Sequence, residues 1–403
     1  MSFPFEALRR RPDVEGSGLV AFDAADRLIL DESAAARSAA PAGGVVVIGD
    51  GYGALALGAA WHAAAGGAAD VRVHQDALTG EQALAANAAA LGLTGCFRSM
   101  PMDAELVRGA RVVLLRLPRS LDALRDVAGL VAAHADPSVV VFAGGRLKHM
   151  TVAQNDVLRS FFATVDVTHA RQKSRVLVAR GPHDGRDPAP AAAAVTLPGG
   201  TPPGGTQLQV RAFGGAFAGA KLDLGTRLLL EHLPPHPEGG TPDDPWIDFA
   251  CGTGIVATAL ALRHPAASVY ATDQSAAAVA SARETVAANG AADRVRVVRD
   301  DLLAARPDAS ASFIALNPPF HSGAAVTGDL APRLFADAAR VLRPGGQLWC
   351  VWNSPLRYRP VLERLVGPTT QVARDPRFTV TVSTPRPSRE TSQMSRKTPE
   401  MGV

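Results

Sequence analysis

Cysteine is scarce in this chain. Three occur in 403 residues, Cys96, Cys251 and Cys350, and no two form a C-x-x-C pair. A disulfide framework and a structural zinc site are therefore not expected, and a reducing cytoplasm is. Aromatic residues make up only 5% of the sequence, while alanine is abundant, a balance that fits helix-rich α/β packing. No run of roughly 18 apolar residues occurs, so no membrane span is expected. Arg9-Arg10-Arg11 is not followed by the apolar stretch of a secretory leader. Basic excess is slight too: a formal charge of +3 with a pI near 9.0 is compatible with a nucleic-acid partner but does not require one.

What is present is length and a repeated pattern. A chain of 403 residues, 47% of them hydrophobic, has material for two cores and is long for one domain. In the first half, an apolar run at 44–48, short strands expected at 71–74, 112–115 and 139–142, and a closing run at 175–179 alternate with helical stretches such as 121–134. In the second half the same plan recurs, with strands expected at 246–249, 268–271, 295–298, 312–316 and 347–352. A helix is expected over 331–342, then a turn at Pro344-Gly345-Gly346. Alternating strands and helices imply parallel strands with right-handed crossovers. Runs at 370–373 and 378–383, joined by Arg374-Asp375-Pro376-Arg377, read as a terminal antiparallel pair.

Between the halves lies a stretch rich in Pro, Gly and Ala. The expected organisation is a first domain over 1–185, a linker over 186–206, with a possible short strand at 193–197, a second domain over 207–385, and a polar, disordered tail over 386–403. The halves read as a duplication of one fold in which only the second keeps its chemistry. Where the second has Asn317-Pro318-Pro319-Phe320, the first has Arg116-Leu117-Pro118-Arg119.

The chemistry-bearing residues of the second half sit at successive strand ends. Asp248-Phe249-Ala250-Cys251-Gly252-Thr253-Gly254 is a strand, a glycine turn and a helix start, where backbone can approach a ligand with no Cβ in the way. Asp273 ends the next strand, where a carboxylate can accept from both ribose hydroxyls. Asp301, or its neighbour Asp300, ends the third, within reach of an exocyclic amine. Asn317 ends the fourth: its side-chain oxygen and the Pro318 carbonyl offer two acceptors to one planar NH2 group, and Phe320 offers a stacking face. Gly252-x-Gly254-x-x-Ala257 also satisfies the dinucleotide fingerprint, so an NAD-dependent oxidoreductase competes, but such an enzyme has no need of the Asn-Pro-Pro-Phe element. Cys251 reads as a packing residue, because nearby basic partners are absent. His321 reads equally as a loop residue or a proton acceptor.

In this ordered series the second half resembles a class I S-adenosylmethionine-dependent methyltransferase. The whole chain resembles the ribosomal RNA guanine-N2 methyltransferases, which carry two tandem methyltransferase-like domains. The resemblance includes Leu222-Asp223-Leu224-Gly225-Thr226 ahead of the glycine turn and Asp23-Ala24-Ala25-Asp26 near the N-terminus. Leu8-Arg9-Arg10-Arg11-Pro12, Leu117-Pro118-Arg119-Ser120-Leu121 and Gly145-Arg146-Leu147-Lys148 favour the large-subunit 23S branch over the 16S branch. Departures are Ala250, where glycine is usual, Ala218-Gly219-Ala220-Lys221, and Thr285 where Asn is common.

The resemblance implies an α/β fold of two tandem Rossmann-like domains, the N-terminal one degenerate. It implies S-adenosyl-L-methionine as cofactor, held by Asp248, Ala250, Gly252, Gly254, Asp273, Asp301 and Asn317, with Asn317, Pro318 and Phe320 acting on the guanine amine. Other planar amines, adenine N6 or a glutamine amide, fit the tetrapeptide alone, and a non-catalytic RNA-binding or assembly protein is the alternative of another class. The partner implied is ribosomal RNA, with neither membrane nor metal. In the first half Arg116, Arg119, Arg146, Lys148, Arg171 and Lys173 are expected to form a basic rim for RNA phosphates.

Overall fold

The computed structural model describes residues 2–16, 18–64, 70–198, 205–319 and 324–385. It divides into two compact units. One comprises Met1–Ala191, Ala212–Gly219 and Gln274–Ser281; the other comprises Ala192–Arg211, Ala220–Asp273 and Ala282–Val403. The tail expected to be disordered, 386–403, lies outside the described residues.

The first unit carries β1 (Val45–Ile48), β2 (Val71–His74), β3 (Phe97–Ser99), β4 (Val112–Arg116), β5 (Val140–Arg146), β6 (Phe162–Val167) and β7 (Ser174–Pro182). They form one sheet in the order β3-β2-β1-β4-β5-β7-β6. The first five are parallel; β7 runs antiparallel between β5 and β6. Strands such as Val-Val-Val-Ile in β1 are apolar throughout because helices cover both faces of a parallel sheet. Strand alternation sorts their side chains into two cores. Val47, Leu114, Phe142 and Val176 enter one, and Val46, Val113, Val141 and Leu177 enter the other. The helix Leu121–His134 starts where the Ser120 hydroxyl accepts from the Ala123 N–H, and it buries Leu124, Val127, Leu130 and Val131 along one stripe.

Two strands, β8 (Ala191–Thr196) and β9 (Gln207–Ala212), pair with each other. The Pro/Gly/Ala-rich stretch thus contains a strand, and 199–204 lie outside the described residues.

The second unit holds β10 (Trp246–Phe249), β11 (Val269–Asp273), β12 (Val295–Arg299), β13 (Ala311–Leu316), β14 (Leu342–Asn353), β15 (Thr369–Arg374) and β16 (Phe378–Ser383). Their order, β12-β11-β10-β13-β14-β16-β15, repeats that of the first sheet. The two last runs do pair antiparallel, and β16 inserts antiparallel beside β14.

Two local expectations change. Pro344-Gly345-Gly346 does not stand before the strand as a turn: it lies inside β14 as an irregularity. Ala311 pairs with Leu342 while Phe313 pairs with Gln347, and Gly345 takes the left-handed φ of +84° that the bulge requires. The helix expected over 331–342 begins at Ala324 and runs to Val341 with Pro332 inside it. Burial of Leu334, Phe335, Ala338 and Val341 carries the helix past a residue that removes one of its backbone donors.

Candidate active site

The carboxyl ends of four adjacent parallel strands in the second unit meet at one edge. Phe249 is in register with Thr272 on one side and Leu316 on the other. The glycine turn, Asp273 and Asn317 therefore leave the sheet next to one another. The third strand end joins them through the Asp300 N–H, which donates to the Asp273 carbonyl at 3.1 Å.

Asp248 points to the face on which the helix Ile255–Arg263 packs, and its Oδ2 accepts from the Ala257 N–H at 2.8 Å. Burial pushes this carboxyl up to about 7, and the nearby Asp273 charge pushes the same way, against the lowering effect of the Ala257 N–H. The turn is built from left-handed residues: Ala250 at φ +58°, Gly252 at +53° and Gly254 at +75°. A Cβ on Gly254 would meet the Ala282 Cβ at 2.9 Å, so glycine is needed there for close approach of the next helix as well as for conformation. Beside Gly252 a Cβ would meet nothing within 4 Å, and its N–H is held by Asp273 Oδ2 at 3.0 Å. An open glycine backbone with a carboxylate at the neighbouring strand end fits an adenosine-containing cofactor.

Of the two aspartates after β12, Asp300 closes its own turn, accepting from the Ala305 N–H at 2.8 Å, and burial raises its carboxyl. Asp301 is half-buried and lies 3.8 Å from Arg333. Cys251 is buried, and burial together with the charges of Asp248 and Asp273 holds its thiol well above the ordinary value, which suits packing and opposes thiolate chemistry.

Asn317 is held by residues for which the sequence suggested no role. Its Nδ2 donates to Asp223 Oδ2 at 3.2 Å and to Thr226 Oγ1 at 3.0 Å. Its Oδ1 is buried and has no hydrogen-bond partner among the described residues. An unpaired buried acceptor costs about 1–3 kcal/mol, so such an atom calls for an explanation, and a ligand's donor supplies one. The signal for Asp223 was its position, directly before an apolar helical run, where an Asp caps the helix. Pro318 is buried beside Asn317. Phe320 and His321 lie outside the described residues.

The first unit has a counterpart with different residues. Ile48 pairs with His74 and Leu115 as Phe249 pairs with Thr272 and Leu316. Gln75 therefore stands where Asp273 does, and Arg116 where Asn317 does. Gln75 Nε2 donates to the Asp50 carbonyl at 2.8 Å. Arg116, expected on the RNA rim, is three-quarters buried and directs its guanidinium to Asp23 at 2.9 Å and Asp26 at 3.1 Å.

The other basic residues gather at the same sheet edge. Arg146 is in register with Ser174, and the Leu147 N–H donates to the Lys173 carbonyl at 2.9 Å. Arg119, Lys148 and Lys173 are exposed and Arg146 is half-buried. His149 is held below its ordinary value by burial and then by the positive charges of Arg119, Lys148, Arg116 and Arg146, a mark of how closely they converge. Arg171 faces Glu32 at 3.0 Å and Asp31 at 3.6 Å.

Comparison with known proteins matches this geometry. Residues 207–382 match the family model of the methyltransferase small domain, and residues 2–183 match that of the RLMG N-terminal domain. A ribosomal RNA large subunit methyltransferase G from Streptomyces avermitilis is 35% identical over 379 residues, covering 93% of this chain and 95% of that protein. The protein of the same name from Pseudomonas aeruginosa is 33% identical over 377 residues, covering 93% of this chain and 96% of that protein. Among solved structures, a T. thermophilus 16S rRNA N2 methyltransferase in complex with AdoMet and guanosine superposes with a TM-score of 0.72 at 21% identity. It covers 95% of this chain and 100% of its own, and establishes likeness of fold. With two family models that divide the chain between them and relatives above 30% identity along nearly all of it, the chain belongs to the ribosomal RNA large subunit methyltransferase G family.

Proposed function

We propose that this protein transfers a methyl group from S-adenosylmethionine to the exocyclic N2 amine of a guanine in large-subunit (23S) ribosomal RNA. In this reading residues 207–385 are the catalytic domain, and residues 1–185 are a degenerate sister domain that holds RNA. The observation that carries the reading is the state of Asn317: its nitrogen is committed, and its oxygen is buried without a partner among the described residues. Family membership supports the RNA class, and action on ribosomal RNA supports a cytoplasmic location. Among the described residues no helix is long and apolar enough to cross a membrane.

S-adenosylmethionine, when bound, supplies an electrophilic methyl group on a sulfonium, with the sulfur left neutral after transfer. Gly252, Asp273 and Asp301 are the residues placed to hold it, with Asp248 anchoring the turn beneath. The guanine amine is a weak nucleophile because its lone pair is delocalised into the ring. Asn317 Oδ1 and the Pro318 carbonyl accept its two hydrogens, localising the lone pair and stabilising the positive charge that develops on nitrogen. The amine nitrogen gains the methyl carbon and gives up one hydrogen as a proton to water. Phe320 stacks on the base, which has to be unpaired or flipped to reach the site.

The test uses the full chain, S-adenosylmethionine labelled in its methyl group, and ribosomal RNA, followed by digestion to nucleosides. Label is expected in N2-methylguanosine from 23S RNA. Label in N6-methyladenosine or in protein would redirect the reading to another planar amine. Asn317→Ala is expected to lower kcat by about 10²- to 10³-fold with S-adenosylmethionine binding retained; a near-normal rate sinks the assignment.

A further inference from the structure

The orientation of the Asn317 amide is set by a helix N-terminus elsewhere in the sequence. Asp223 is the N-cap of the helix Leu224–His232, and its Oδ2 accepts from the Thr226 N–H at 3.1 Å. The same Oδ2 accepts from Asn317 Nδ2, and Thr226 Oγ1 accepts from it as well. One helical turn thus brings two acceptors, three residues apart, to one amide nitrogen. A carboxylate only accepts and an amide nitrogen only donates, so the reversed amide would set Oδ1 against Asp223. The arrangement therefore has a single favourable orientation, with Oδ1 turned away from the helix.

A second observation comes from the first unit. Asp23 caps the helix Ala24–Glu32, and Asp26 follows three residues later. Both meet Arg116, the residue that stands where Asn317 does. The capping aspartate with its partner one turn on is present in both units, each holding the side chain at the carboxyl end of the fourth strand. The partner is a hydroxyl where that side chain is a neutral amide and a second carboxylate where it is a guanidinium.

We propose that Asp223 and Thr226 are positioning residues for methyl transfer. They lock the Asn317 amide with its oxygen toward the acceptor amine. The Asp223 carboxylate also polarises that amide, so that Oδ1 accepts more strongly as the amine nitrogen becomes cationic. This rests on the reading of Asn317 as the acceptor for the substrate amine, and adds the residues that make it competent.

The test measures kcat and S-adenosylmethionine Kd for the full chain with ribosomal RNA. The variants are Asp223→Ser, Asp223→Asn, Thr226→Val, Asn317→Ala and the double variant Asp223→Ser/Asn317→Ala. Serine keeps an N-cap oxygen but is too short to reach Asn317. Asp223→Ser and Thr226→Val are expected to lower kcat at least tenfold with Kd within twofold of wild type. Asp223→Asn, which retains an oxygen acceptor, is expected to recover part of the loss. Because Asp223 acts through Asn317, the double variant is expected to be no more than about threefold slower than Asn317→Ala alone. Multiplying losses, or wild-type kcat in both Asp223→Ser and Thr226→Val, overturn the proposal. Should Asp223→Ser fail to fold, the near-isosteric Thr226→Val and its double variant with Asn317→Ala carry the same comparison. If Asn317→Ala itself turns over normally, it is the underlying reading of the site that fails, a result separable from loss of positioning alone.

Discussion

Arg116 donates to Asp23 across 2.9 Å in the first unit. The residue pair at the same place in the second unit is Asn317 and Asp223, at 3.2 Å. The duplicated fold has kept the capping aspartate and changed what it holds. A guanidinium with two carboxylates around it satisfies itself, whereas the amide of Asn317 leaves its oxygen to something else. In the function proposed above, this contrast is what separates the degenerate unit from the catalytic one.

The Arg116 cluster is expected to be structural. Arg116→Met leaves Asp23 and Asp26 without their cation, and Asp26 is buried. Breaking one partner of such a group is expected to lower stability by about 2–4 kcal/mol, read as a shift of the urea midpoint. A smaller cost in a double variant that also carries Asp26→Leu would identify the stranded carboxylate as the cause.

The convergent charges around His149 are expected to bind phosphates. Arg146→Glu, Lys148→Glu and Lys173→Glu together are expected to weaken RNA binding and flatten its salt dependence by roughly two to three counterions, while S-adenosylmethionine binding stays intact. His149 gives a second readout. Burial and then the neighbouring cations hold it low, so phosphate binding, which offsets the cations, is expected to raise its pKa, and RNA binding in turn to take up a proton and tighten as the pH falls. An RNA affinity and salt slope equal to wild type in the triple variant would remove this face from RNA recognition.

Asp248 links stability to pH. Its carboxyl titrates at about 7 in the folded protein, against about 4 when unfolded. Between these values the native state holds a proton that the unfolded state has lost, so this group's contribution is present below about pH 4 and is lost as the pH rises through 7. Asp248→Asn lacks that term. Relative to Asp248→Asn, the wild type is expected to lose stability, on the order of a few kcal/mol at most, between pH 4 and 7, and to level off above. Parallel stability profiles for the two proteins would contradict the assignment.

Ala250 is an alanine in a glycine's conformation, at φ +58°. The left-handed region costs a residue with a Cβ about 1–2 kcal/mol, part of which glycine gives back as unfolded-chain entropy. Ala250→Gly is expected to stabilise the protein by up to about 1 kcal/mol, seen as a thermal midpoint a few degrees higher. A lower midpoint would show that the alanine methyl is needed for packing.

Much of this protein could be read from the chain alone. Contiguous apolar runs such as 45–48 and 112–115 set the parallel strands, because a strand buried on both faces is apolar at every position. The order of glycine turn, Asp273, Asp301 and Asn317 set the site, because side chains at successive strand ends of one parallel sheet share an edge. Edge strands such as Phe162–Val167, exposed at most positions, carry too little apolar pattern to be seen, and Pro344-Gly345-Gly346 reads as a turn until a neighbouring strand draws it into a bulge. Only the tertiary structure decided how each charge or amide is used. Asp223 and Asn317 are 94 residues apart in sequence, as far beyond any local pattern as Asp23 and Arg116, which lie 93 apart. Sequence singled out the Asn317 amide; folding brought the Asp223 carboxylate to its nitrogen, because a hydrogen bond depends on distance in space and not along the chain.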